Sequence, residues 1–454
     1  MNLPNYFLAD LPPEATLSAS MLSEACQTLR HNRERYLATR STDSLIHLLS
    51  NVASNWLDPN YPFRKLALEK GPATTGFSRP TLARGLDALF AQFTADNFRV
   101  LLEQEFGHKR RLDEMSRSLP EDAGNRVSLA SAPEFLVRIN SGNIPNPPIR
   151  SIVFGLLLRS SQFVKCTAGA SLLPRLFAHS LYEADPKSGA CLEIADWPGS
   201  NAELEQALFS EADCVVATGS DESLTGLRKV LPLGVRFVGY EYRLSFAFIA
   251  AGALSKFNAE RLVERAATDV VTWDQQGGLA PHVFYVERGG VISAEQFAQM
   301  LADQLEAREQ TEPLGPLPAE VSASITSRRS FYEVRAAHSP DTRLWQSKNS
   351  TAWTVVFENA PIFQASCRNR FIYVKEVSDL AEMLHGADKV RGKISTVGLA
   401  ASAEQAETLA AELACWGVTR ICPLGRMQNP PLVWRQDGRP ALADFVRWSD
   451  WEME

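Results

Sequence analysis

Four short stretches bring together residue types that can do chemistry. The first is SGNIPNPP (141–148), which follows the strand-like run FLVRI (135–139). Asn143 in it offers a fixed amide donor to an oxygen that gains negative charge, and the prolines fix the exit of the chain. The same letters also read as an Asx-type turn. The second is FVKCTAGAS (163–171), in which Lys165 ends a strand and a small-residue turn opens a helix. An ammonium at that edge can reach a hydroxyl or a phosphate, and a helix N-terminus favours an anion. The other reading is a lysine extending from a strand end to water. The third is VVATGSDES (215–223), where Gly219 and Ser220 open a helix after an apolar strand, as a cap or as a ligand contact. The fourth is VTWDQQGGLAPHVFYVE (271–287). An apolar run (VVTW, 270–273) and the strand HVFYVE (282–287) flank a polar turn. That turn ends in Gly277 and Gly278, where a functional turn would usually present a side chain.

The elements that must position these turns follow from periodicity. Residues 1–119 read as a helical region, with apolar spacing of three and four in 18–37, 44–57 and 79–93. From about residue 120 strands and helices alternate: FLVRI, a helix over 149–161, QFVKC (162–166), a helix over 171–184, ACLEIA (190–195), a helix over 201–209, CVVAT (214–218), a helix over 221–231 and VRFVGY (235–240). Alternation at this spacing predicts a doubly wound parallel sheet with right-handed crossovers, and it puts the first three turns at one edge of that sheet. The pattern restarts after the apolar run 244–254, with a helix over 259–268, strands at 270–273 and 282–287, and a helix over 293–309. A Pro-rich connector (311–320) leads to the strands TVVFE, FIYVKEV and ISTVGLA. The expected division is a helical region 1–119, a dinucleotide-binding domain 120–253, a catalytic domain 254–420, and a C-terminal tail 421–454 returning to the cofactor domain.

The 454 residues are 45% hydrophobic and 22% charged, with a net charge of -7, which is ordinary for a globular protein and gives no sign of nucleic-acid binding. The longest apolar stretch is too short to span a bilayer, and the N-terminus carries no secretory pattern. Seven scattered cysteines fit a reducing cytoplasm, so a cytoplasmic protein is expected. No P-loop, Gly-x-Gly-x-x-Gly, His-Glu-x-x-His or Gly-x-Ser-x-Gly occurs, and no metal site is expected.

Taken in order, SGNIP, FVKCTAG, and ACLEIADWPGS followed by CVVATGS resemble the aldehyde dehydrogenase superfamily. WDQQGGLAPHVFYVE and RICPLGRMQNPPLVWRQDG are similar to the bacterial fatty-acyl-CoA reductases of the LuxC type, and the likeness covers about residues 130–450. The resemblance implies an aldehyde-dehydrogenase-like α/β fold of two α/β domains, one Rossmann-like and one catalytic. It implies reduction of a fatty acyl thioester to an aldehyde with NADPH, through a cysteine thioester. The acyl donor would be acyl-CoA or an acylated partner protein, an acyl-transferring subunit is a possible partner, and a homo-oligomer is expected. On this reading Asn143 holds the acyl oxygen, while Lys165, Gly219 and Ser220 bind the cofactor. The family pattern WDQQ-Gly-Cys-Leu reads WDQQ-Gly-Gly-Leu here, so the nucleophile's slot is Gly278. Cys166, in the lysine-bearing motif on the cofactor side, would replace the nucleophile only if the fold brought its thiol to the acyl carbon. Glu241 lies near the superfamily's general-base position, and Glu193 and Asp196 sit where an acid would favour an unphosphorylated ribose. The alternative is a catalytically silent relative that binds acyl-CoA, cofactor or an acyl-transferring partner.

Overall fold

The computed structural model describes residues 3–12, 14–140, 142, 144–199 and 201–454. The N-terminal helices Ala19–Asn32, Thr42–Leu57, Arg79–Phe90 and Ala95–Phe106 begin at Ser18, Ser41, Ser78 and Thr94. Each of these hydroxyls accepts a backbone N–H of the first turn, which supplies one of the partners a helix start otherwise lacks. The apolar stripes of the later helices meet around Trp56, whose buried ring stacks on Phe90 at 4.9 Å.

Strand β1 (Arg126–Ser131) leads into β2 (Phe135–Ile139), β3 (Ser161–Cys166), β4 (Leu192–Asp196), β5 (Cys214–Thr218) and β6 (Arg236–Tyr240). β2 to β6 form a five-stranded, all-parallel sheet in the order β4-β3-β2-β5-β6. The order reverses between β2 and β5, so the turns after these strands flank the crevice at the switch point, where open α/β sheets bind ligands. One face packs on helices that include Thr42–Leu57, Asn146–Leu157 and Leu172–Ala184; the other packs on Ala19–Asn32 and Ala202–Glu211.

A second sheet holds β7 (Leu244–Ile249), β8 (Val283–Glu287), β9 (Thr342–Gln346), β10 (Thr354–Glu358), β11 (Phe371–Val377), β12 (Ile394–Ala400) and β13 (Arg420–Pro423). Its order is β13-β12-β7-β8-β11-β10-β9, parallel except for β9. Finally β14 (Arg447–Glu452) pairs antiparallel with β1 as a two-stranded ribbon.

Two details differ from the sequence reading. The apolar run 244–254 starts the second sheet, with β7 paired between β12 and β8, so the change of sheet falls between Tyr240 and Leu244 and not at 253. Residues 270–273 are not a strand. The helix Ala259–Val271 runs through Val270 and Val271, because Leu262, Val263, Ala266, Ala267, Val270 and Val271 recur at helical spacing and are all buried.

Candidate active site

The turn before Gly278 is conformationally expensive. Trp273, Asp274 and Gln275 have φ of 51°, 48° and 62°, three successive left-handed residues without a glycine. Each such residue costs on the order of 1–3 kcal/mol, so the surroundings must impose the shape. A second left-handed triplet does part of this: Arg368, Asn369 and Arg370, at φ 58°, 53° and 60°. The buried Arg370 donates to Asp274 Oδ1 from Nε at 2.9 Å and from Nη2 at 2.7 Å, and its Nη1 lies 3.0 Å from Glu309 Oε2. Gln276 Nε2 donates to Asn369 Oδ1, and Gln275 Nε2 donates to the Pro281 carbonyl at 2.7 Å. Burial pushes the Asp274 carboxyl up from its ordinary value, and Arg370 opposes that.

Packing completes the clamp. The Trp273 ring lies directly on Gly85 of the helix Arg79–Phe90, where a Cβ would come within 2.0 Å of it. Phe77 meets the same ring edge-on at 5.2 Å. Gln428 Nε2 donates to the Asp269 carbonyl at 2.6 Å, and the Asp269 carboxylate accepts the N–H of Gly425 and of Met427 at 2.6 and 2.9 Å. The chain just before the turn and the segment 425–428 are thus fastened together.

Gly277 and Gly278 differ. A Cβ on Gly277 would lie 2.9 Å from Gln428 Oε1 and 3.1 Å from Ile144 Cδ1, so the space there is filled. A Cβ on Gly278 would meet only the Arg243 carbonyl at 3.4 Å, and the φ of Gly278 is outside the left-handed region. Nothing in backbone or space requires glycine at 278. Its carbonyl accepts from Ser245 Oγ at 2.9 Å, while its N–H has no acceptor among the described residues.

A cavity of about 480 Å³ lies between the two sheets. Gly277 and Gly278 line it, together with Asn140, Gly142 and Ile144 of the turn after β2, and Gly219 and Ser220 of the turn after β5. Asn143 lies outside the described residues. Ser220 also caps the helix Asp221–Val230, accepting from the Ser223 N–H at 3.2 Å. Glu241 lines the cavity as a half-exposed carboxylate 3.8 Å from Arg243, which fits a rim position.

Lys165 does not line this cavity. Along β3 it faces the opposite side of the sheet, 7% exposed, with Nζ 5.5 Å from the Trp197 ring centroid. Burial pushes its pKa down, and no carboxylate lies within 4.0 Å of it among the described residues. Cys166 points to the other face, beside Asn140 and Thr167 at a separate cavity of about 70 Å³. Its thiol is pushed up to about 12, first by burial and then by Asp196. Among the described residues no cysteine lines the large cavity. Glu193 is not at the sheet edge either: it is held in the N-terminal packing, accepting from the Leu8 N–H at 2.7 Å, and burial pushes it up to about 8. Asp196, at the end of β4, accepts from Ser171 Oγ.

Sequence reading overlooked Arg138 and Arg150, which line the large cavity. A signal was present in FLVRI, where one charge sits in an otherwise apolar strand at the centre of a sheet. For Arg150, in the helix Asn146–Leu157, the sequence carries no comparable sign.

Two largely parallel α/β layers facing one cavity, with a helical N-terminal layer, give this chain an aldehyde-dehydrogenase-like fold. An NAD-dependent benzaldehyde dehydrogenase from Corynebacterium glutamicum superposes with a TM-score of 0.69 at 12% identity, over 96% of this chain and 91% of that one. A salicylaldehyde dehydrogenase from Pseudomonas putida G7 gives 0.68 at 14% identity, over 97% and 91%. Proline utilization A gives 0.72 at 15% identity, and this chain spans 45% of its length. The family model described as Acyl-CoA reductase (LuxC) matches residues 37–448, and the chain belongs to that family. It is similar to the long-chain acyl-protein thioester reductases of Aliivibrio fischeri, 23% identical over 395 residues (84% of this chain, 76% of the relative), and of Vibrio harveyi, 20% identical over 362 residues (78% and 71%).

Proposed function

We propose that the large cavity is the acyl-thioester site of a reductase that makes an aldehyde from acyl-CoA or an acylated protein, and that this chain carries the site without its nucleophile. The observation that carries this reading is the contrast at 277–278: a heavily clamped turn ends at a residue with room for a side chain and none present. In this reading the Gly278 N–H, which has no acceptor among the described residues, donates to the thioester carbonyl oxygen, a role that the family resemblance also gives to Asn143. The missing side chain is a thiol. A thiolate is nucleophilic near neutral pH and is also a competent leaving group, so it can take up and release an acyl group. Cys166 does not replace it, because its thiol is buried and kept protonated.

The nicotinamide half of the reading rests on the five-stranded layer. Lys165 fits a hydroxyl- or phosphate-bearing ligand, because its buried ammonium has no carboxylate partner among the described residues. Lys165, Gly219 and Ser220 would hold the cofactor, and NADPH, the reductant that the family resemblance implies, would supply the hydride when bound. The five-stranded layer is then the nucleotide domain and the seven-stranded layer the catalytic one. Among the described residues no helix is long and apolar enough to cross a membrane.

The test is intact-protein mass spectrometry after incubation with an acyl-CoA, followed by an aldehyde assay with NADPH. The glycine form should gain no adduct and release no aldehyde. Gly278→Cys should gain one acyl group, lost on adding NADPH as aldehyde appears. An adduct on the glycine form, or none on a folded cysteine form, would refute the reading.

A further inference from the structure

Two guanidinium groups line the large cavity with no carboxylate partner, the buried Arg138 and the partly exposed Arg150. Arg138 is 4% exposed. Its Nε donates to Gln162 Oε1 at 3.0 Å, and its Cζ lies 5.9 Å from the centre of the Phe445 ring. Its Nη2 is buried with no hydrogen-bond partner among the described residues. Burial lowers its pKa to about 10, so it stays charged at neutral pH. Arg150 stands over the Trp434 ring at 5.2 Å and donates from Nη2 to Gln436 Oε1 at 2.8 Å. Burial lowers its pKa as well, and Tyr240 and Asp437 only partly oppose that.

The third arginine of the cavity wall, Arg243, has carboxylates near it, though its Nε makes no hydrogen bond among the described residues. Arg243 lies 3.8 Å from Asp437 and 3.8 Å from Glu241, and Asp437 also accepts from Ser395 Oγ. Among the described residues no carboxylate comes within 4.0 Å of Arg138 or Arg150. A buried charge left unpaired is costly, and aromatic rings and neutral amides recover only part of that cost. A cavity built for a plain hydrocarbon would have no reason to hold two such cations.

We propose that the acyl group taken by this cavity carries an anionic end, a carboxylate remote from the thioester carbonyl, which Arg138 and Arg150 bind. The proposal rests on the reading of the cavity as the acyl site and names its substrate class: thioesters of dicarboxylic acids. A carboxylate accepts from two guanidinium groups at once and would use the free Nη2 of Arg138.

Calorimetry on the chain as it stands tests this. Adipoyl-, suberoyl- and sebacoyl-CoA are compared with hexanoyl-, octanoyl- and decanoyl-CoA, and with CoA alone. At least one dicarboxylic thioester should bind about tenfold to hundredfold more tightly than its monocarboxylic counterpart, the range expected of hydrogen bonds to a charged group. Arg138→Met and, separately, Arg150→Met should each shrink that preference, while Arg288→Met, outside the cavity lining, should not. The comparison of thioesters on the unaltered chain needs no variant, so a misfolded Arg138→Met would not remove the test. Equal binding of the paired thioesters, or a preference for the monocarboxylic ones, would overturn the proposal and leave the acyl site standing. Binding of CoA alone as tightly as the dicarboxylic thioesters, and weakened by Arg138→Met, would assign the arginines to phosphate and overturn it too. Binding of no thioester at all would overturn the acyl-site reading and this proposal together.

Discussion

The turn at 272–278 and the turn at 219–220 reach the same cavity, and they are held there in opposite ways. The first carries three left-handed residues, an ion pair buried on both sides, two hydrogen bonds donated by glutamine side chains and an indole wedged on a glycine. The second has a serine cap and a backbone bond from the Gly219 N–H to the Tyr240 carbonyl at 3.2 Å, and the helix it opens begins with the exposed Asp221 and Glu222. Strain that must be imposed from outside marks a place where atomic position is fixed before a ligand arrives. The turn at 272–278 is therefore the more firmly held of the two. That turn ends on Gly278, which has room for a side chain and carries none.

The contrast can be broken at the clamp first. Arg370→Met leaves the buried Asp274 carboxylate unpaired and should cost about 3–5 kcal/mol in urea unfolding. A loss below about 1 kcal/mol would mean that the ion pair does not hold the turn. Acid should act on the same region through His282, buried beside the turn and accepting at Nδ1 from the Ser366 N–H at 3.0 Å. Burial, and then Arg368, push its pKa from 6.5 down to about 4. A folded-state pKa below the unfolded one gives stability that is present above pH 6.5 and lost as pH falls toward 4. The loss should reach roughly 3 kcal/mol at pH 4, and His282→Asn should flatten that part of the profile. Unfolding curves of both proteins between pH 7 and 4 that run parallel would remove His282 from the account. The smallest effect belongs to Lys165, proposed above as a cofactor contact. Lys165→Ala should weaken NADPH binding by about 1–3 kcal/mol in calorimetry, with little change in thermal unfolding. Unaltered affinity would place the nucleotide elsewhere.

Much of this was legible in the chain. The alternation of strand and helix set out the parallel sheet, and the apolar runs FLVRI, FVKC and CVVAT became its adjacent central strands, which brings their turns to one edge. The clamp was not legible. Left-handed backbone at Trp273 and Arg370 is imposed by partners about a hundred positions away, and neither residue prefers it locally. The segment 270–273 misled because valine and threonine favour strands, while here Val270 and Val271 complete the buried face of a helix that stops before Thr272. RWSDWE escaped notice because every residue of β14 is exposed, so no alternation of apolar and polar letters announces the strand. Lys165 was read correctly as a strand-end lysine, but the side of the sheet it faces depends on pleat parity relative to a cavity that only the fold defines.

The ribbon of β1 and β14 has a consequence in time. Its partners, from Arg126 with Glu452 to Ser131 with Arg447, lie more than three hundred residues apart in the chain. A ribosome adds about 5–20 residues each second, so β1 leaves it tens of seconds before β14 exists. Through that interval the nascent chain carries an unpaired strand edge with Val127 and Ala130, both buried in the finished fold, open to whatever else can pair with them. Slower translation of the intervening stretch lengthens that exposure without altering a single residue of the product.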